Sequence, residues 1–374
     1  MIKRMIKRGR PRLLYDMVRQ HPQFLKMAMR IAWRNATNLI DYNFMNGQSF
    51  QPKAVTVRIS GQCNLHCQMC NYRHLGFFDT TQMLPVAIFE KVIDEVYPHK
   101  LHISLTGGEP LLHPDIVECV RYAKERGLSC SLVTNGWSLA RYAEGIVGAG
   151  VDILTVSIDG PEEMHDEIRG RKSLYRRIME GVREVNKFKK RPLLFFSTTI
   201  QADNHAHLEM VVDDAIKAGI DGVSIQHLQT RTPDRTSLHN QMSPEFQVRD
   251  GWIDESLLRV DTTVLQGVLK RAEEKGLFVN VFPVLSPQDM STWYTDPIQL
   301  ISAHRIKCPW VMANVFHDGT MRMCDDIILG DLKEDGFWEI WNGEKMMDFR
   351  RTVKKSKTFP ICATCCSLYR SNTI

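Results

Sequence analysis

The chain has no run of about 20 unbroken apolar residues, so it is not expected to carry a membrane-spanning helix. A cleavable secretory leader is not expected either, because Lys26, Arg30 and Arg34 interrupt the one candidate apolar stretch. Acidic residues are scarce in the first 34 positions, where Asp16 stands alone against ten basic side chains. The formal net charge of +5 is therefore a property of that arm, since the remainder carries 38 basic residues against 42 acidic ones. Ten cysteines without a leader argue for a reducing compartment and metal ligation instead of a disulfide frame. The expected place is the cytoplasm. With 374 residues, 43% of them hydrophobic, there is room for one large domain and one small one.

What is present is an alternation of strand-like and helix-like stretches. "AVTVRIS" (54–60), "LHISLT" (101–106), "SCSLVTN" (129–135), "DILTVSID" (152–159), "LLFFSTTI" (193–200) and "GVSIQHL" (222–228) are short, β-branched and apolar on both faces, as covered parallel strands should be. The stretches between them place apolar residues at intervals of three and four, and several stop at a glycine such as Gly127, Gly150 or Gly219. This pattern predicts an α/β fold with a parallel sheet, open or curled into a barrel. Polar signals collect at one edge: "TGGEP" after the second strand, "TNG" after the third, "SIDG" after the fourth, and Gln226 near the end of the sixth. In βα architectures chemistry gathers at the carboxyl ends of the strands. A hairpin is expected in "NVFHDGTMRMC", with Asp318–Gly319 at its turn.

The loop after the first strand reads "GQCNLHCQMC" and supplies three cysteines, Cys63, Cys67 and Cys70. Tetrahedral zinc and ordinary ferredoxin clusters take four protein ligands. Such a loop either borrows a fourth ligand or leaves one metal position open, where an iron could chelate an amino-carboxylate. His66 and His74 read as polar loop residues, and Cys119 and Cys130 as small core residues.

"CNLHCQMC", "TGGEP", "TNG" and "SIDGPEEMHDEIRG", in this order, resemble the radical S-adenosylmethionine (radical SAM) enzymes over residues 54–228. The resemblance implies a partial (β/α)6 barrel and reductive cleavage of S-adenosylmethionine to methionine and a 5′-deoxyadenosyl radical. It implies that Cys63, Cys67 and Cys70 bind a 4Fe–4S cluster, and that Gly107, Gly108 and Glu109 receive the methionine amino group. Ser157, Asp159 and Arg169 match the ribose and carboxylate contacts, with Asn135 and Gln226 facing the same site. Met69 stands where the family often has an aromatic residue, so a softer apolar contact replaces stacking on adenine.

The tail from residue 306 resembles the SPASM and twitch extensions of that superfamily, through "GTMRMC", "GDLKEDGFWEIWNGEKMMDFRR" and "CATCC". Cys308, Cys324, Cys362 and Cys365 make the expected set for one auxiliary 4Fe–4S cluster, with Cys366 as the alternate to Cys365 and zinc as the competing metal. Asp325 matches an acid that accepts a substrate proton in some SPASM enzymes. The expected organisation is a basic amphipathic arm (1–53), a barrel (54–228), a completing segment (229–305) and an auxiliary-cluster domain (306–374).

Lys26, Arg30 and Arg34 recur every fourth residue, which on a helix would line one stripe, suited to an anionic membrane surface or to solvent beside the barrel. The expected protein is an oxygen-sensitive oxidoreductase, fed by a reductant such as flavodoxin or ferredoxin. It acts on an unidentified substrate, lipid-linked or glycan-like, and sits in the cytoplasm with the arm at the inner face of the membrane. A ribosomally made peptide is the alternative substrate, and a non-catalytic electron-transfer protein the third reading. Nucleic acid is not expected, since the body lacks a basic face or aromatic platform.

Overall fold

The computed structural model describes residue 29 and residues 37–370, apart from 39, 78, 252 and 253. The stripe Lys26, Arg30 and Arg34 lies outside the described residues. Strands follow the sequence expectation to within a residue or two: β1 (Ala54–Gln62), β3 (His102–Gly107), β4 (Ser129–Thr134), β5 (Ile153–Ser157), β6 (Leu193–Ile200) and β7 (Gly222–His227). Two more strands join these. A short strand β2 (Asp79–Met83) pairs antiparallel with the end of β1, and β8 (Phe278–Phe282) extends the parallel series beyond β7.

From β1 the strands lie in chain order, β1-β3-β4-β5-β6-β7-β8, all parallel. Since the order never reverses, right-handed crossovers put every connecting helix on the same face. That is the arrangement of a (β/α) barrel and not of a doubly wound sheet. The helix-facing side chains, among them Val55, Val57, Ile103, Leu105, Leu132 and Leu154, are fully buried. The other face alternates with them and mixes polar side chains with apolar ones such as Ile153 and Phe195. In register across the strands lie Thr56, Ser104 and Ser131, then Ser157, Ser197 and Ser224, then Thr199 and Gln226. A filled barrel would carry bulky branched residues there.

The tail from residue 306 builds onto the barrel sheet. After β9 (His304–Ile306), strands β10 (Met312–Val315), β11 (Thr320–Met323) and β12 (Ile327–Asp331) join the barrel sheet itself, β10 running parallel to β1. The hairpin turn falls where Asp318–Gly319 predicts it, and the last strand β13 (Leu368–Arg370) pairs with β9. The tail is thus continuous with β1.

A buried arginine locks the tail in place. Arg350, on the helix Glu344–Ser356, donates Nε to the Pro309 carbonyl at 2.9 Å and Nη1 to the Gly47 carbonyl at 2.9 Å. Burial holds its pKa down to about 9, with Asp41 pulling the other way. Arg350→Met leaves both carbonyls without a donor, each worth about 1–3 kcal/mol. The urea midpoint is expected to fall by an amount equivalent to roughly 2–4 kcal/mol, with an unchanged denaturant slope.

Candidate active site

The three-cysteine loop leaves the end of β1 and turns into a short helix, Asn71–His74. It is pinned from outside by the helix Glu162–Arg169, whose last carbonyls accept from the loop: His66 N–H donates to Arg169 at 3.3 Å and Gln68 N–H to Ile168 at 3.0 Å. The guanidinium of Arg169 then reaches inward. Its Nε donates to Asp159 Oδ2 at 2.5 Å, and its Nη1 lies 3.8 Å from Cys67 Sγ. Burial pushes the thiol of Cys63 up to about 12, and raises those of Cys67 and Cys70 as well, with Arg169 acting against the rise at both. As free thiols they are protonated at neutral pH, so metal binding would displace their protons.

The edge beside this loop is built by backbone approach. Gly108 N–H donates to the Ser60 carbonyl at 2.7 Å, and Glu109 N–H to the Gln62 carbonyl at 2.8 Å. A Cβ on Gly108 would stand 2.2 Å from the Gln62 carbonyl oxygen, and one on Gly107, at φ +131°, would stand 2.5 Å from that of Ser60. Only glycine fits either position. Glu109 is engaged within the edge itself. It is 1% exposed, and its carboxylate accepts from Leu111 N–H at 3.0 Å, Thr134 Oγ1 at 2.6 Å and Asn135 N–H at 2.7 Å. Its carboxylate ties the β3 edge to the tip of β4. Burial raises its pKa, with those three donors opposing.

Asp159 likewise presents no open carboxylate. It is fully buried, Oδ2 taken by Arg169 and Oδ1 by Thr199 N–H at 2.9 Å. It positions Arg169. Asn204, which sequence reasoning missed, clamps the same corner by donating Nδ2 to the carbonyls of Asp159 and Thr199 at 2.9 and 2.8 Å. Asn135 donates to Asn64 Oδ1 at 2.8 Å and so touches the cysteine loop. Ser157 and Gln226 share the polar face, Gln226 Nε2 donating to Ser197 Oγ at 3.0 Å. Met69 packs half-buried against the core. A cavity of about 940 Å³ opens beyond β7, lined in part by Thr230, Arg235, Leu258 and Tyr294; neither Ser157 nor Gln226 lines it.

In the tail, Cys308, Cys324, Cys362, Cys365 and Cys366 come from three separate segments and meet. Burial pushes Cys308 well up, and neighbouring Cys324, Cys362 and Cys366 push it further. Cys362 is driven to about 11 by burial, with the Phe359 N–H and Arg231 opposing. Cys365 donates to Cys366, bringing the latter down to about 7. Among the described residues no three His, Cys, Asp or Glu side chains gather on one single-ion position. An iron–sulfur cluster asks for a wider ring, one thiolate to each iron. Thiols on three convergent segments suit that demand in the tail, and the three thiols of the first loop suit it with one iron left open. Cys119 and Cys130 pack in the core, as expected.

Asp325 sits in a network that spans both cysteine groups. It accepts from Arg58 Nη2 at 2.7 Å and from the Tyr72 hydroxyl at 3.1 Å on both oxygens. Tyr72 lies two residues past Cys70, so this network joins the first cysteine loop to the second. Cys324 and Asp325 both have left-handed backbone, at φ +50° and +68°, costing about 1–3 kcal/mol each. Arg231 helps hold them, donating to the Cys324 carbonyl at 3.0 Å while pairing with Asp326. Sequence reasoning missed Arg58, Tyr72 and Arg231. For Arg58 a signal existed: a charged residue alternating with Val57 and Ile59 falls on the polar side of its strand.

A family model described as the radical SAM superfamily matches residues 57–215, and one described as an iron–sulfur cluster-binding SPASM domain matches residues 307–366. The chain is 22% identical over 328 residues to the tungsten-containing aldehyde ferredoxin oxidoreductase cofactor-modifying protein of Pyrococcus furiosus, covering 84% of this chain and 87% of that protein. It is 34% identical over 139 residues to the AdoMet-dependent heme synthase of Methanosarcina barkeri, covering 36% of this chain and 40% of the synthase. Solved structures of Streptococcus suis SuiB share its fold: the complex with S-adenosylmethionine at TM-score 0.60 and the complex with precursor peptide SuiA at 0.59. Each is 12% identical and covers 86% of this chain and 72% of SuiB.

The corner that carries Arg169 has a pH signature. His165 is fully buried and its Nδ1 accepts from Asp159 N–H at 3.1 Å, so the ring is neutral in the folded chain. Burial holds its pKa down to about 4, against the ordinary 6.5. Between these values the unfolded chain binds the extra proton, so stability is lost as pH falls from 6.5 toward 4. The urea midpoint at pH 5 is expected below that at pH 7, and His165→Gln to narrow the gap. An unaltered gap would mean that the ring is charged in the fold.

Proposed function

Because the chain belongs to the radical SAM superfamily and carries a SPASM iron–sulfur domain, we propose that Cys63, Cys67 and Cys70 hold a 4Fe–4S cluster open to S-adenosylmethionine, and that the enzyme removes a hydrogen atom from a polar substrate. When bound, cluster and cofactor supply one-electron cleavage of the sulfonium carbon–sulfur bond, giving methionine and a 5′-deoxyadenosyl radical. The observation that carries this reading is the reach of Arg169 from Asp159 to Cys67 beside an edge that only Gly107 and Gly108 can form. The guanidinium neutralises thiolate charge and stays oriented by its buried partner. The glycines let a ligand approach bare backbone. Asn135, Ser157 and Gln226 add polar contacts along the same edge.

The hydroxyl- and amide-bearing sheet face supports a substrate that hydrogen-bonds without demanding charge. That fits the glycan-like part of a lipid-linked substrate, our first reading. A ribosomally made peptide is the second, favoured by the fold shared with SuiB, whose structure was solved with its precursor peptide. Cys308, Cys324 and Cys362, with Cys365 or Cys366, would hold one auxiliary cluster. Asp325 already accepts from Arg58 and Tyr72, which supports a part in fixing its loop over one as proton acceptor. The basic arm would meet an anionic membrane surface. No helix among the described residues is long and apolar enough to cross a membrane.

Anaerobic incubation with S-adenosylmethionine and dithionite is expected to release 5′-deoxyadenosine, and Cys67→Ala to abolish it. A reconstituted wild-type chain that forms none rules out the enzymatic reading. Cys308→Ala is expected to lose about half of the bound iron, one cluster of two. Pelleting with phosphatidylglycerol vesicles is expected to weaken severalfold when residues 1–34 are removed, and equal pelleting would discard the membrane surface.

A further inference from the structure

The second cysteine group is ringed by arginines that are not equivalent. Arg58 is matched by Asp325 at 2.7 Å. Arg231 is matched by Asp326, which Arg249 also reaches at 2.6 Å. Arg235 has no such match. It starts the helix Pro233–Met242, is 6% exposed, and among the described residues no carboxylate pairs with it. Its donors go to neutral oxygens: Nη1 to Thr364 Oγ1 at 2.9 Å, Nη2 to the Thr230 carbonyl at 2.9 Å and to Thr230 Oγ1 at 2.6 Å. Thr364 lies between Cys362 and Cys365 and closes the circuit by donating to the Thr230 carbonyl at 2.6 Å.

A buried guanidinium without a counter-ion is expensive, and buried charges are found paired or beside an ion of opposite sign. The fitting anion here is the one the neighbouring cysteines would build. Iron and sulfide bound by four thiolates carry net negative charge, and the charge grows by one on reduction. A fixed cation one hydrogen bond from the ligand segment stabilises the reduced form more than the oxidised one. Arg58 and Arg231 contribute less to that difference, since their carboxylates travel with them.

We propose that Arg235 is the counter-charge of the auxiliary iron–sulfur centre and sets its reduction potential high, so that the centre takes up an electron readily. The inference rests on the auxiliary ligand set given under the proposed function. One electron enters the centre, no atom or proton moves, and Arg235 keeps its charge in both states. It acts through electrostatics across Thr364 and touches no substrate, which makes it a positioning residue for charge.

The test is a redox titration of the full reconstituted chain, with dithionite as reductant, following by electron paramagnetic resonance the signal that added S-adenosylmethionine leaves unperturbed. Arg235→Gln is expected to move the midpoint negative by at least a tenfold change in the one-electron equilibrium constant, about 59 mV. Arg235→Lys, which keeps the charge, is expected to stay within threefold of wild type. Thr230→Asp leaves the arginine in place but hands it a carboxylate, and is expected to shift the midpoint in the same direction as Arg235→Gln; it serves where the latter fails to fold. The inference is overturned if Arg235→Gln and Thr230→Asp both stay within threefold at full iron content. It is overturned equally if Arg235→Lys shifts as far as Arg235→Gln, because geometry and not charge would then be responsible. Absence of auxiliary iron from the wild-type chain would remove the reading beneath it, and iron counting separates that failure from the others.

Discussion

The site depends on how closely two strand ends approach. Where β1 and β3 run out, the chain from Gly107 to Glu109 continues to bond the carbonyls of Ser60 and Gln62, past the point where side chains would permit it. That contact fixes the start of the cysteine loop to within a hydrogen bond. It also turns Glu109 toward β4, where its buried carboxylate gathers Thr134 and Asn135. Asn135 in turn holds Asn64 inside the loop. One backbone approach therefore positions three strand tips and the first metal loop together. A methyl group at Gly108 would meet a carbonyl oxygen long before it met anything compressible.

Charge does the rest of the positioning, and it works in pairs that are deep in the fold. Asp159 with Arg169, Arg58 with Asp325 and Arg231 with Asp326 all lie at the junction of the two cysteine loops or beneath it. Replacing such a pair with apolar side chains is often neutral for stability, while breaking one is costly. Their value here is better understood as geometric: each is a directional bond between segments that have no covalent reason to meet. The Arg58–Tyr72–Asp325 network is the clearest case, because it ties a residue two positions past Cys70 to the residue next to Cys324. Two successive left-handed residues at Cys324 and Asp325 are tolerated because that loop is held from both sides.

The sequence made the frame legible and the junction illegible. Strand positions, the hairpin turn at Asp318–Gly319, and the gathering of "TGGEP", "TNG" and "SIDG" at one edge follow from local periodicity and turn chemistry, and the structure agrees. Local patterns do not say which distant carboxylate an arginine will find. Arg58 and Asp325 are 267 residues apart, and Arg235 and Thr364 are 129 apart. Nothing nearby in the chain announces Thr134 as a partner for Glu109 or Thr199 as one for Asp159. That the tail from residue 306 joins the barrel sheet is hidden for the same reason. β10 is an ordinary short strand until it is seen beside β1, and pairing is a property of register, not of composition.

That pairing bears on how the two cysteine groups can work together. β1 carries the first loop at its carboxyl end and Arg58 on its polar face, while β10 flanks it and leads through the hairpin to Cys324. The second group is therefore mounted on the neighbour of the strand that mounts the first. Parallel strands covered by helices are among the least deformable parts of a fold, because both their hydrogen bonds and their close packing would have to yield. The separation of the two groups is thus set by sheet geometry and trimmed by the Arg58–Tyr72–Asp325 bonds, with no hinge between them. If the two groups hold iron–sulfur centres as proposed, such an arrangement fixes the range between them, which a flexible linker would leave undefined.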